Sequence, residues 1–201
     1  RMADGSGELS FAELDRRSHQ AAQWMISLGL QPRDTIALLL ENHLRTFELW
    51  WGARRAGLYY VPVSTHLKPR EAAYILRDCG AKVLLASQAT AALATEVAAD
   101  VGDAVLPHRY LVDGEGGAFE SYAGAAGAFD GVSPLPLRPV GREFMYSSGT
   151  TGFPKGIRRP LAPFEKRNEL PELERRLRGI FRFDEESVYL SLTPLYHALG
   201  R

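Results

Sequence analysis

The stretch SSGTTGFPKG, at residues 147–156, combines residue types that can bind phosphate groups. Its glycines let the backbone turn sharply and bring N–H groups close to an anion, because no Cβ lies in the way. Its hydroxyl groups are neutral donors, and its lysine adds one compact positive charge. The sequence therefore predicts a loop that binds a polyphosphate. The residues that form this predicted loop are Ser147, Ser148, Gly149, Thr150, Thr151, Gly152, Lys155 and Gly156.

The predicted loop differs from a Walker A motif. That motif has four residues between its glycines and a Ser or Thr directly after its lysine, whereas here Gly156 follows Lys155. A glycine-rich surface turn with incidental hydroxyl groups is the ordinary alternative for such a segment. The position of Pro154 beside Lys155 and the order of hydroxyls and glycines favour phosphate binding.

The other residues that could bind a metal or react are dispersed along the chain. The four histidines His19, His43, His66 and His108 show no metal-ligand spacing, so we expect structural or surface roles for them. The lone Cys79 excludes an internal disulfide framework and a multi-cysteine metal site, and we expect it to pack in the core. Three tryptophans, at 24, 50 and 51, lie on helical segments and are expected to pack as well.

The composition restricts the kind of protein. Of the 201 residues, 45% are hydrophobic, which is enough to build a core. Lys plus Arg and Asp plus Glu each number 24, so no net charge favours nucleic acid as a partner. The sequence has no apolar run of about 18 residues that would predict a transmembrane segment, and no signal peptide. We expect a soluble, cytoplasmic protein.

Helix-period segments alternate with short apolar runs along the chain. This alternation predicts the α/β class, with a mainly parallel sheet flanked by helices. We expect helices at about 11–28, 44–56, 69–76 and 88–99 and a charged, exposed helix at 163–179. We expect strands at 35–40, 58–61, 82–86, 109–112 and 188–192.

The chain is predicted to divide at a segment rich in Gly, Ala, Ser and Pro. Residues 1–112 would form a first α/β unit, 113–141 a connection of loop composition, and 142–201 the start of a second unit that carries the phosphate loop. The chain begins with Arg1 and stops directly after an apolar run, so we expect both ends to be cut from a longer sequence.

The loop resembles the phosphate-loop signature of the adenylate-forming superfamily, which contains acyl-CoA synthetases, luciferases and the adenylation domains of peptide synthetases. Residues 9–42 resemble the opening helix and strand of that superfamily, residues 56–87 its next block, and TPLYHALG at 193–200 the motif that follows the phosphate loop. The resemblance covers nearly the whole chain and is weakest at about 88–139. The chain departs from the family pattern at Arg33, where glycine is usual, and at Ser187, near a frequent aspartate.

The resemblance implies a two-step reaction with MgATP. A carboxylate attacks the α-phosphate to give an acyl adenylate and pyrophosphate, and a thiol, usually that of coenzyme A, then displaces AMP. Stabilising the departing pyrophosphate is the work that the resemblance assigns to Thr150, Thr151, Gly152 and Lys155. Within this group Lys155 and Thr151 are the predicted catalytic residues, and Thr151 is also the predicted magnesium ligand.

The resemblance also implies an acyl pocket whose predicted substrate-binding residues are Tyr196, His197 and Gly200. A core histidine with one satisfied nitrogen is the alternative interpretation of His197. GIRRPL, at 156–161, resembles synthetases acting on fatty or related aliphatic and sterol-derived acids, so we favour an acyl-CoA synthetase. An adenylation domain or luciferase-like member with another acyl acceptor stays open, as does a truncated, non-catalytic nucleotide-binding module.

The resemblance further places several catalytic parts after Arg201. They are the residues that hold adenine and ribose and the small C-terminal lid domain with its lysine. We therefore expect the 201-residue chain to be an incomplete part of an enzyme and to be inactive by itself.

Overall fold

The computed structural model describes residues 2, 5, 7–147, 154–170, 172–182, 184, 186–191 and 193–197. Its helices are α1 (Phe11–Ser27), α2 (Arg45–Ala56), α3 (Pro69–Cys79), α4 (Ala91–Val101), α5 (Tyr122–Gly127) and α6 (Glu172–Phe181), with 3-10 turns at Gln88–Thr90 and Phe164–Lys166. Its strands are β1 (Thr35–Leu39), β2 (Tyr59–Pro62), β3 (Ala81–Ala86), β4 (His108–Leu111), β5 (Glu120–Ser121), β6 (Arg142–Glu143), β7 (Met145–Ser147) and β8 (Lys155–Ile157).

Six of the strands form one parallel sheet in the order β5-β4-β3-β1-β2-β6. The remaining two, β7 and β8, form a separate antiparallel pair. The prediction of an α/β fold with a mainly parallel sheet is confirmed.

Side chains of β1 alternate between two cores, one on each face of the sheet. Ile36 and Leu38 pack with α1, α2 and α5, whereas Ala37 and Leu39 pack with α3 and α4. A strand with helices on both sides is buried throughout, which explains why residues 35–40 are a continuous apolar run.

Local signals in the sequence locate most helix ends. The Ser10 hydroxyl accepts a hydrogen bond from the Glu13 N–H at 3.1 Å and so caps the start of α1. Gly57 and Gly80 end α2 and α3 in the left-handed conformation, with φ of 72° and 63°. The expected boundaries of these helices are therefore confirmed to within a few residues.

The segment expected to be a connection of loop composition, 113–141, contains the two-residue strand β5 and the helix α5. Tyr122 of α5 is fully buried and meets the Trp24 ring edge-on, with ring centroids 5.1 Å apart. Packing against α1 therefore offsets the low helix propensity of the two glycines in α5. After this segment β6 joins the six-stranded sheet beside β2, so residues 142 and 143 belong to the first sheet.

The expectation of a strand at 188–192 is wrong for residues 188–191, and residue 192 lies outside the described residues. Val188 is 97% exposed, and Tyr189 and Leu190 are exposed as well. A strand needs a neighbour that completes its ladder, and no strand in the described part of the chain pairs with these residues. The charged helix expected at 163–179 begins only at Glu172.

The cysteine of the chain and the character of its helices bear on two of the expectations above. Cys79 is buried in the core, and this burial raises the pKa of its thiol to about 12. None of the helices in the described residues has the length and apolar character that crossing a membrane requires.

Arg33 adopts the left-handed backbone conformation, with φ of 76°. Its N–H donates to the Gly57 carbonyl at 2.9 Å, and its own carbonyl accepts from the Arg158 guanidinium at 2.9 Å. Glycine adopts this conformation without strain, whereas a residue with a side chain does not.

We predict that Arg33→Gly raises the free energy of unfolding by about 0.5–1 kcal/mol. Removing the left-handed strain gains roughly 1–2 kcal/mol, and the more flexible unfolded chain offsets about half of that gain. Urea denaturation followed by circular dichroism measures the difference. Arg33→Ala is the control, because it removes the side chain and keeps the strain. A Gly variant no more stable than the Ala variant would contradict the prediction.

Candidate active site

The predicted phosphate loop connects two paired strands. Ser147 at the end of β7 lies opposite Lys155 at the start of β8, so the connection at 148–154 begins and ends at neighbouring residues. Within it, residues 148–153 lie outside the described residues. The roles of Ser148, Gly149, Thr150, Thr151 and Gly152 therefore stay predictions. The structure does place Ser147 and Lys155 together at the base of the loop, where the Ser147 hydroxyl donates to the Lys155 carbonyl at 3.4 Å.

The two faces of this hairpin have different surroundings. On one face, the Tyr146 hydroxyl donates a hydrogen bond to the Asp78 carboxylate near the end of α3. Burial and this hydrogen bond raise the pKa of Tyr146, so its phenol stays a neutral donor at physiological pH. Side chains alternate along a strand, so Ser147 and Lys155 point away from α3, and both are exposed. The ammonium group of Lys155 is therefore accessible from solvent.

Two aromatic rings pack against the hairpin formed by β7 and β8. The Phe144 ring is buried and stacks on the Tyr146 ring, with centroids 5.2 Å apart. The backbone of Gly156 lies against both rings, since a Cβ at this position would be 2.7 Å from Phe144 Cε2 and 3.1 Å from Tyr146 Cζ. Gly156, predicted to contact the nucleotide, thus has a packing reason to be glycine. Its contact with a nucleotide stays a prediction.

The arginines that follow β8 tie the hairpin to the six-stranded sheet. The Arg158 guanidinium lies 4.4 Å from the centre of the Tyr59 ring and donates to the Arg33 carbonyl. The Tyr59 hydroxyl donates to the Arg159 carbonyl at 2.7 Å. These contacts give the GIRRPL stretch a role in anchoring the loop to the beginning of β2.

The second group of predicted site residues lies at the other edge of the sheet. Leu195 is buried, with 6% of its surface exposed, and its N–H donates to the Asn42 side-chain oxygen at 2.8 Å. The ring of Tyr196 lies 6.3 Å from the ring of His66, centroid to centroid. His197 is exposed, and its N–H donates to the Pro194 carbonyl at 2.9 Å.

Sequence reasoning missed Asn42 and assigned His66 only a structural or surface role. Asn42 follows β1, and His66 follows β2, so both lie at the carboxyl edge of the sheet. Parallel sheets commonly bind their ligands at that edge, and this rule was the signal that could have found both residues. Gly200, the third predicted substrate-binding residue, lies outside the described residues.

The described residues contain no group of three or more His, Cys, Asp and Glu that could hold a metal ion. Magnesium bound with nucleotide phosphates uses few protein ligands, because the phosphates and water supply the others. A single threonine hydroxyl fits that donor set. Thr151 is outside the described residues, so its role as a magnesium ligand stays a prediction.

Comparison with known proteins assigns the family. Residues 2–201 match the family described as AMP-binding enzyme. The chain belongs to the AMP-binding enzyme family. The resemblance to the adenylate-forming superfamily, first seen in the phosphate loop, is thereby confirmed.

The relatives of the chain include proteins named as ligases and synthetases. The chain is 32% identical over 163 residues to the 4-hydroxybenzoate–CoA/benzoate–CoA ligase of Rhodopseudomonas palustris, covering 77% of this chain and 29% of the relative. It is 34% identical over 148 residues to the coprinoferrin synthetase of Coprinopsis cinerea, covering 73% of this chain and 6% of the relative. The chain thus spans less than a third of the length of either protein.

Solved structures of AMP-binding enzymes share the fold. A putative long-chain-fatty-acid CoA ligase from Rhodopseudomonas palustris matches 98% of this chain and 47% of its own, with a TM-score of 0.80 and 22% identity. ATP-bound MatB from the same species matches 98% of this chain and 37% of its own, with a TM-score of 0.70 and 25% identity.

We predict that Gly156→Ala lowers the free energy of unfolding by about 1–3 kcal/mol, the usual cost of forcing a methyl group into a packed site. The added Cβ would collide with the Phe144 ring and displace β8. Thermal unfolding followed by circular dichroism measures the loss. Gly179→Ala is the matched control, because nothing lies within 4 Å of a Cβ at that position. Equal melting temperatures for the two variants would contradict the packing role of Gly156.

Proposed function

We propose that the protein carrying this chain activates a carboxylic acid with ATP and transfers the acyl group to coenzyme A. The observation that carries this proposal is the exposed Lys155, held with Ser147 at the base of a loop rich in glycine and hydroxyl groups. Membership of the AMP-binding enzyme family supports it, as does the number of CoA ligases among the relatives.

The adenylation step requires positively charged and hydrogen-bond-donating groups beside the phosphates. It requires no nucleophilic side chain, because the substrate carboxylate is the nucleophile. An oxygen of the substrate carboxylate attacks the α-phosphorus of ATP, and the bond to the β-phosphate oxygen breaks. Pyrophosphate leaves with the negative charge, and an acyl adenylate remains. The ammonium group of Lys155 and the loop hydroxyls would stabilise that charge, since donors aimed at developing charge lower the barrier. Magnesium bound to the phosphates would add to this stabilisation.

The second step would make a thioester. The thiol of coenzyme A attacks the acyl carbonyl carbon, AMP leaves with the electron pair of the acyl-phosphate bond, and the thiol proton passes to solvent. We propose a fatty or related aliphatic acid as the substrate. Relatives named for such acids support this choice, among them a long-chain-fatty-acid–CoA ligase of Mycobacterium tuberculosis that is 28% identical over 155 residues.

A carrier-bound thiol is the alternative acceptor. Coprinoferrin synthetase and a plipastatin synthase of Bacillus subtilis, the latter 30% identical over 156 residues, favour this second possibility. The two candidates share the adenylation step and differ in whether coenzyme A or a carrier domain receives the acyl group. Incubation of the intact protein with ATP, the preferred acid and coenzyme A distinguishes them, because only the first candidate releases acyl-CoA.

We predict that the intact protein exchanges labelled pyrophosphate into ATP only when a carboxylic acid is present. Octanoate, benzoate and leucine form a panel of aliphatic, aromatic and amino acids. Octanoate is expected to give the fastest exchange, because the proposed substrate is aliphatic. Cleavage of ATP to ADP and phosphate that needs none of these acids would contradict adenylation, and faster exchange with benzoate or leucine would contradict the aliphatic preference.

We predict that Lys155→Ala slows this exchange about ten- to a thousandfold, the scale of losing one preorganised donor. The melting temperature should stay within a few degrees of the wild type, because the side chain is exposed. Lys166→Ala is the matched control, an exposed lysine outside the hairpin, and should exchange at the wild-type rate. An unchanged rate for Lys155→Ala would remove the lysine from the proposed machinery.

A further inference from the structure

We infer that Asn42 is a positioning residue that orients the Tyr196–His197 segment for binding of the acid. The inference rests on the proposed function, because it concerns the acyl end of that reaction. It begins with the hydrogen bond from the Leu195 N–H to the Asn42 side-chain oxygen, which joins residues 153 positions apart.

Several contacts hold the turn that carries Tyr196 and His197. It is closed internally by the hydrogen bond from the His197 N–H to the Pro194 carbonyl. The Leu195 side chain inserts into the core shared by α1, α2 and β1. An inserted side chain fixes where the turn lies but does not by itself set the orientation of the turn. The hydrogen bond to Asn42 sets this orientation, because it fixes the Pro194–Leu195 peptide group, one residue before Tyr196.

Asn42 is itself held in place on both sides. Before it, the Glu41 carboxylate accepts a hydrogen bond from the buried Ser87 hydroxyl at the end of β3. After it, the Arg45 N–H donates to His43 Nδ1 at 3.1 Å and begins α2. A side chain that orients another group needs such support, since a mobile acceptor would not fix the orientation of the N–H group that donates to it. The loop after β1 therefore supplies Asn42 as a fixed acceptor at the carboxyl edge of the sheet.

Loss of this hydrogen bond should affect the acid more than the nucleotide phosphates. The turn lies at the carboxyl edge, beside His66 after β2. The phosphate-loop hairpin is anchored at Asp78 of α3 and at Tyr59, the first residue of β2. Because the anchors are separate, a shift of the turn leaves the base of the phosphate loop in place. The expected signature is a changed KM for the acid with an unchanged KM for ATP.

Two substitutions at position 42 in the intact protein test this inference. Asn42→Ala removes the acceptor, whereas Asn42→Asp keeps an oxygen at the same place. We expect Asn42→Ala to raise the KM of the best acid among octanoate, benzoate and leucine about three- to tenfold in pyrophosphate exchange, the effect of losing one neutral hydrogen bond. The KM for ATP should change less than twofold, and Asn42→Asp should restore the KM of the acid to near the wild-type value.

A matched control separates orientation from general stability. Gln23→Ala removes another side-chain amide that accepts a hydrogen bond from a distant backbone N–H, that of Gly131 at 3.0 Å, on the far side of α1. It should leave the KM of the acid unchanged. Equal KM values for wild type and Asn42→Ala would overturn this inference, and so would equal changes in the KM of the acid and of ATP. Either result would leave the proposed function intact. Absence of acid-dependent exchange in the wild type would overturn the proposed function and this inference with it.

Discussion

The complete burial of β1 constrains the rest of the structure. Each of its residues, Thr35–Leu39, lies inside, so helices must cover both faces of the sheet and parallel neighbours must flank the strand on both edges. Parallel neighbours require crossover connections, and each crossover returns the chain to the same edge. Residues that follow different strands, such as Asn42 and His66, are therefore gathered at one edge although they are far apart in sequence. The edge where the acid is proposed to bind is a consequence of the buried strand.

The features that could be predicted from the sequence are those with local causes. The cap at Ser10, the left-handed glycines that end α2 and α3, and the apolar run of β1 each act within a few residues. Features that depend on distant partners could not be predicted in this way. Helix α5 forms because Tyr122 packs on Trp24, and residues 188–191 have strand composition without a strand partner among the described residues.

The same distinction applies to the candidate site. Residue types and order in the loop were enough to predict the family, because the loop signature lies within ten consecutive residues. Phosphate binding by the loop stays a prediction. The supports of the site could not be predicted, because Tyr146 and Asp78 are 68 positions apart and Leu195 and Asn42 are 153 apart. A single sequence contains no signal that pairs such residues, whereas the folded backbone brings them within hydrogen-bonding distance.

The burial of Cys79 has a consequence for an enzyme of the proposed kind. An acyl adenylate is an electrophile that transfers its acyl group to any accessible thiolate, with release of AMP. Cys79 is the only cysteine of the chain, it is shielded by the core, and its pKa of about 12 leaves almost none of it as thiolate at neutral pH. Burial of Cys79 therefore disfavours its acylation by the acyl adenylate that the proposed reaction would form.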